Sequence, residues 1–222
     1  PNIFLKGYVA HGFKDHRWKG MGEMTYSFNK KAYLPREFPV NNLTFTYAND
    51  VMSPSDKFLP TDKDNVFVSF KWTSVEHMMY YQYYNLLWDR EWANGFRLNM
   101  QLRTERDRPT GALFYQALDE QGTPSFNPAK RIKSLHTTDF KLGFIYQPGA
   151  TWINTKQRRI AANHEAPRIS FSHTVGVKGV LGCDYNYNFT EVGLEKRFWL
   201  ASWGKIDATL KGGVQWNQVP FP

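Results

Sequence analysis

The stretch KIDATLKGGVQW, residues 205–216, alternates without a break. Ile206, Ala208, Leu210, Gly212, Val214 and Trp216 hold the even positions; Lys205, Asp207, Thr209, Lys211, Gly213 and Gln215 hold the odd ones. A strand sends successive side chains to opposite faces, so the pattern predicts an extended segment with one apolar and one polar face. Strands of globular proteins usually run about 5–6 residues, whereas a tilted strand that crosses a bilayer needs about 9–11. The length poses the question of whether the apolar stripe meets a protein core or lipid.

The same period recurs near residues 3–14, 17–28, 43–50, 65–72, 80–92, 96–106, 139–146, 168–178 and 188–199. Phe96, Leu98, Met100 and Leu102 oppose Arg97, Asn99, Gln101 and Arg103, and Phe140, Leu142 and Phe144 oppose Asp139, Lys141 and Gly143. The register of the first segment is ambiguous. Asn94-Gly95 is a tight-turn signal between two such segments. Prolines such as Pro35, Pro39, Pro54, Pro60, Pro124, Pro128 and Pro148 fall between segments, where no ladder hydrogen bond is lost. Residues 107–137, with Pro109, read as one long loop. No helical period and no run of roughly 18–20 apolar residues is present, which excludes helical membrane spans and leaves barrels open. The expected fold is all-β: one domain over 1–222, antiparallel and up-and-down, with about ten strands of a partial transmembrane β-barrel. The chain reads as an internal piece of a longer one.

The polar faces decide more than the length. They carry Arg97, Arg103, Glu105, Lys141, Arg168, Glu191, Glu195, Arg197, Lys205, Asp207 and Lys211, a mixed set that suits a hydrated barrel lumen. A soluble sandwich or barrel would accept the same charges on its solvent face, and that alternative stays open. Aromatic residues make up 17% of the chain, and Trp72, Trp88, Trp92, Trp199, Trp203 and Trp216 lie near segment ends, where an interfacial girdle is expected. The lumen cations have two readings: an anion-preferring pore, or pairing with Glu105, Asp139, Glu191, Glu195 and Asp207 to brace the interior.

Residues 167–222 also carry a resemblance. GVKGVLGCDYNYN, KRFWLASWG and GGVQWNQVPFP resemble the C-terminal barrel of an uncharacterised Bacteroidetes-type outer-membrane family. In that family a carboxypeptidase-regulatory-like domain precedes the barrel. GYVAHGFKD, YSFNKK, EFPVNNLTFTY and WANGFRL follow the same order, so the similarity spans most of the chain. The resemblance implies a barrel distantly similar to outer-membrane assembly and translocation barrels, with further strands after Pro222. It carries no activity and no catalytic motif, and the Arg-Gly-Phe lid-loop motif of assembly barrels has no counterpart here.

The remaining motifs carry little chemistry. Ser74 to His77 lines up a nucleophile, an acid and a base, but four adjacent residues cannot reproduce a triad. His11, Asp15 and His16 lack a fourth metal ligand nearby. His173 sits on an apolar face, and Cys183, the one cysteine, has no partner. The basic clusters at 130–133 and 156–159 lack the stacking platform of a nucleic-acid site and read as loops facing solvent or lipid phosphate, although the net charge is +8. The expectation is a non-enzymatic barrel of the bacterial outer membrane, acting in envelope transport or assembly. It has no cofactor or metal. Its partners would be outer-membrane lipid or lipopolysaccharide and envelope proteins, not nucleic acid. A pore or nutrient-receptor barrel is the alternative, and a soluble β-sandwich or barrel binding module the second.

Overall fold

A computed structural model describes residues 1–13, 15–52, 77–111, 113–117 and 131–217. Nine strands form one antiparallel sheet: β1 (Ile3–His11), β2 (Trp18–Ser27), β3 (Asn41–Met52), β4 (His77–Glu91), β5 (Phe96–Gly111), β8 (Leu135–Tyr146), β11 (Arg168–Gly176), β12 (Tyr187–Trp199) and β13 (Lys205–Gln215). Two short ribbons, β6 (Tyr115–Gln116) with β7 (Arg131–Ile132) and β9 (Trp152–Asn154) with β10 (Arg159–Ala161), and two 3₁₀ turns, Val180–Gly182 and Ala201–Trp203, make up the other elements among the described residues. The large sheet is a meander, each strand pairing with the next of its nine in chain order. Among the described residues β1 pairs only with β2 and β13 only with β12, so the sheet is open at both edges.

The nine strands coincide with nine of the ten alternating segments. The tenth, residues 65–72, lies outside the described residues, as do Trp72 and Ser74 to Glu76. The ambiguous first segment resolves through its pairing: Leu5 stands opposite Met24 and Lys6 opposite Glu23, so Ile3, Leu5 and Val9 join the apolar face. The expected loop over 107–137 needs correction. β5 continues through Pro109 to Gly111, and β8 begins at Leu135. Pairing of β5 with β8 ends at Asp107, and beyond it only β4 lies alongside, an edge situation that tolerates a residue without an N–H.

Register carries each face across strand boundaries. One apolar row runs Leu5, Met24, Phe45, Leu86, Leu102, Phe140 and Val175. A second runs Phe96, Tyr146, Ile169, Leu194 and Leu210. These side chains are largely exposed, Leu210 by 71%. On β2–β5 the polar face is the covered one. Ser27, Thr25, Asn42, Thr46, Asp89, Glu105 and Asp107 are all buried there. Few large apolar side chains are buried among the described residues; Tyr115 and Met79 are the largest, and Tyr115 Oη donates to Met79 Sδ at 3.7 Å. A water-soluble sheet protein buries its apolar face; here the partition is reversed.

Loops at one end fold over the polar side. In residues 28–40, Lys31 Nζ donates to the carbonyls of Glu37 (2.7 Å) and Pro39 (2.6 Å). Glu37 accepts from the backbone N–H groups of Ala32, Tyr33 and Leu34 at 2.6–2.8 Å. Burial pushes the Glu37 carboxyl up, but those three N–H groups and Lys31 outweigh it and hold it below its ordinary value of 4.5. Between β4 and β5 the turn needs its glycine: Gly95 sits at φ +84, and a Cβ there would lie 2.2 Å from the Gln147 carbonyl oxygen.

Two predictions follow from these loops. Gly95→Ala forces both a left-handed backbone and a backbone collision, and should lower stability by about 1–3 kcal/mol, read as a leftward shift of the urea midpoint. Because the Glu37 pKa is depressed on folding, its stabilisation is present above the unfolded value and lost as pH falls through the folded one. Glu37→Gln should therefore flatten the acid limb of the stability–pH curve, and an unchanged limb would refute the assignment.

Candidate functional site: a paired charged face opposite a bare apolar one

Alternation on β5, β8, β11, β12 and β13 delivers the charged positions, and the register gathers them. All eleven charged residues singled out in the sequence stand on the same face, and each is in an ion pair. Arg97 Nε donates to Asp89 Oδ1 at 2.7 Å, and Arg103 pairs with Glu105. Glu191 Oε2 accepts from Lys141 Nζ (3.0 Å) and from Ser172 Oγ (3.1 Å). Arg168 Nη1 donates to Glu195 Oε1 at 2.8 Å, with Lys211 Nζ 3.9 Å from the same oxygen. Arg197 grips Asp207 through two nitrogens at 2.5 and 3.0 Å, and Lys205 lies 3.5 Å away. Most of these pairs join adjacent strands. A groove of about 560 Å³ runs along this face, lined by Asn99, Gln101, Lys141, Ser172, Glu191 and Glu195 among others.

Half-exposed pairs of this kind are each worth only about 0–1 kcal/mol, so stability is not their main effect. They set each of the seven cations against an acid, with Glu195 and Asp207 each shared by two of them. The arrangement favours the bracing reading of these cations over the anion-attracting one.

The most enclosed pair among the described residues was invisible in the sequence. Arg159, from the basic cluster 156–159, reaches Glu91 with Nη2 to Oε1 at 2.6 Å and Nη1 to Oε2 at 2.8 Å. Its guanidinium stacks 3.7 Å over Trp152, and Glu91 also accepts from the Val40 N–H at 3.3 Å. The pair ties the β9–β10 ribbon and the 28–40 loop to the end of β4. Its partners lie 68 residues apart, so no local pattern signals it. In the other cluster, Arg131 packs over the Phe114 ring at 3.8 Å.

The aromatic residues divide between the two ends of the sheet. At the 92–95 end stand Trp88, whose Nε1 donates to Asn41 Oδ1 at 3.3 Å, Trp92 against Phe96, and the exposed Trp203. Trp199 is at that end too, but in register with Lys205 on the polar face. Trp216 is at the 12–17 end, its Nε1 donating to Thr190 Oγ1 at 2.8 Å. Trp18, beside His11, joins it there and was not singled out from the sequence. The sequence signal for Trp18 was present: it occupies a strand-terminal position, as the others do. His173 Nδ1 lies 2.8 Å from Thr190 Oγ1, and the buried Cys183 donates from Sγ to the Tyr185 carbonyl.

The apolar band drifts against the register. The row through Leu5 and Leu86 emerges on β13 at Trp216, in line with Asn188, whereas the apolar stripe of β13 centres on Leu210. Six residues over eight strand steps is a slope of about 30° at ~3.3 Å per residue and ~4.8 Å per strand. A flat apolar slab crossing tilted strands produces this drift.

Glu91→Gln should leave Arg159 buried without its counter-charge and cost about 3 kcal/mol. Gln at both positions should recover part of that loss, and a double-mutant cycle by urea unfolding measures the coupling. The chain matches, over residues 2–220, the profile of a family described as "Family of unknown function (DUF5686) C-terminal domain". No curated protein and no solved structure matches it.

Proposed function

We propose, from the premise that this chain belongs to the DUF5686 family as its C-terminal domain, that the sheet is part of a transmembrane β-barrel of the bacterial outer membrane. Its apolar face meets lipid and its charged face lines a hydrated interior. The observation that carries the reading is the reversed partition: apolar rows bare across the sheet, with the polar side chains covered on β2–β5. Three features support it. The sheet strands are 9–16 residues long, enough to cross a bilayer at a tilt. Tryptophans stand at both ends of the sheet. The band slopes by about 30° against the strands, near the 35–45° tilt of barrels. Closing the open edges with further strands would satisfy the backbone groups that hydrocarbon cannot.

On this reading the protein is not an enzyme. The eleven charged residues singled out on the interior face are engaged in ion pairs. A braced interior, its cations held by acids, suits a barrel that handles macromolecules or anchors an assembly better than one that selects small ions. Envelope transport or assembly is therefore the proposed role, with outer-membrane lipid and envelope proteins as partners.

In the intact protein lacking Cys183, a membrane-impermeant thiol reagent should modify Thr209→Cys but not Leu210→Cys. Gln101→Cys and Met100→Cys should behave likewise in the sheet centre. The protein should fractionate with the outer membrane and change gel mobility on boiling. Equal labelling within both pairs, or a soluble protein with no heat shift, would return the apolar stripe to a protein core and sink the proposal.

A further inference from the structure

The apolar face ends, at the 12–17 end, in an unpaired cationic patch. Tyr47 and Tyr84, with rings 5.0 Å apart, form a late aromatic row, and Thr104 stands opposite Tyr84. Two residues further on, Arg106 faces Gln82, and two beyond that Arg108 faces Tyr80. Both arginines have the parity of Leu102 and are exposed. Arg17, from the β1–β2 turn, stacks 4.5 Å over Tyr80. Together with Trp18 these side chains border a recess of about 340 Å³.

The contrast with the opposite face is sharp. There each of the eleven charged residues has a counter-ion; here Arg17, Arg106 and Arg108 have no carboxylate within ion-pair distance among the described residues. Nearby acids are engaged by other groups, Asp15 at the recess itself. Asp15 accepts from Tyr80 Oη (2.6 Å) and pairs with Lys19 (2.7 Å). Asp50 accepts from Tyr8 on the polar face, and Asp184 accepts from the His136 N–H at 2.7 Å.

Position selects the ligand. At ~3.4 Å per residue, Arg106 lies about 7 Å and Arg108 about 14 Å beyond the Tyr84–Thr104 row along the strand. A headgroup layer is about 5–8 Å deep on each side of the hydrocarbon, and tilt shortens the projected height. Guanidinium groups bind phosphate oxygens in a bidentate fork, and the flanking Tyr and Trp rings tolerate the boundary between chains and headgroups. We infer that Arg17, Arg106 and Arg108 form a site for the phosphate of an anionic membrane lipid, seated at the rim of the lipid-facing band. The inference rests on the barrel reading above.

The test reconstitutes the intact protein and its Arg106→Gln/Arg108→Gln variant into phosphatidylcholine vesicles, alone or doped with lipid A or phosphatidylglycerol. Retained anionic lipid is measured after extraction. A basic side chain near a charged surface is worth about 1 kcal/mol, so each arginine removed should weaken retention roughly fivefold while insertion into neutral vesicles stays unchanged. Arg17→Gln should give one such step. Equal retention by wild type and variant, with both inserted, would overturn the lipid site and leave the barrel reading standing. Failure of the wild type to enter any vesicle would overturn both. Loss of the preference when inorganic phosphate is added at equal phosphate concentration would show a general anion site and also overturn the lipid assignment.

Discussion

Everything in this molecule depends on the two-residue period of its strands held in antiparallel register. A slip of one residue between neighbours would turn every side chain of a strand to the other face. In this sheet such a slip would set Lys141 and Glu191 among Phe140, Phe171 and Val192. It would break the ion pairs and interrupt both apolar rows at once. The cross-strand pairs matter less for their energy than for this. Opposite charges beside each other, from Asp89–Arg97 to Arg197–Asp207, penalise the wrong register on one face while the aromatic and aliphatic rows penalise it on the other.

The two faces then take different environments. Chain closes the polar side over β2–β5: the 28–40 loop, the β9–β10 ribbon held by Arg159 on Glu91, and Tyr115 packed on Met79. The apolar rows keep their exposure over most of the sheet's width. With so few large apolar side chains buried among the described residues, the usual hydrophobic driving force has nowhere to act unless something beyond them covers those rows. The proposed lipid contact supplies that cover, and the unpaired arginines at its rim extend the same logic to the headgroups.

Much of this was legible in the residues. Alternation located nine strands within a few residues of their ends, because a period of two over nine or more positions has few other physical solutions. The eleven charged residues fell on one face for the same reason: parity along a strand, once neighbours align, is parity across the sheet. Pro109 shows where a local rule misleads. Proline signals a break only where a ladder bond would be lost, and whether one is lost depends on which strands lie alongside. The β6–β7 and β9–β10 ribbons escaped notice because two or three residues cannot display a period.

The sequence by itself determined the all-β antiparallel class, the positions of the nine sheet strands and which side chains share a face. Those follow from the fixed alternation of Cβ directions, which needs no knowledge of distant residues. Only the tertiary structure decided who pairs with whom. Arg159 meets Glu91 rather than solvent, each of the eleven charged residues finds a counter-ion, and Arg17, Arg106 and Arg108 stand together without one among the described residues. Pairing depends on which strands become neighbours and how far each is offset. That is a property of the assembled sheet, and no local stretch of the chain contains it.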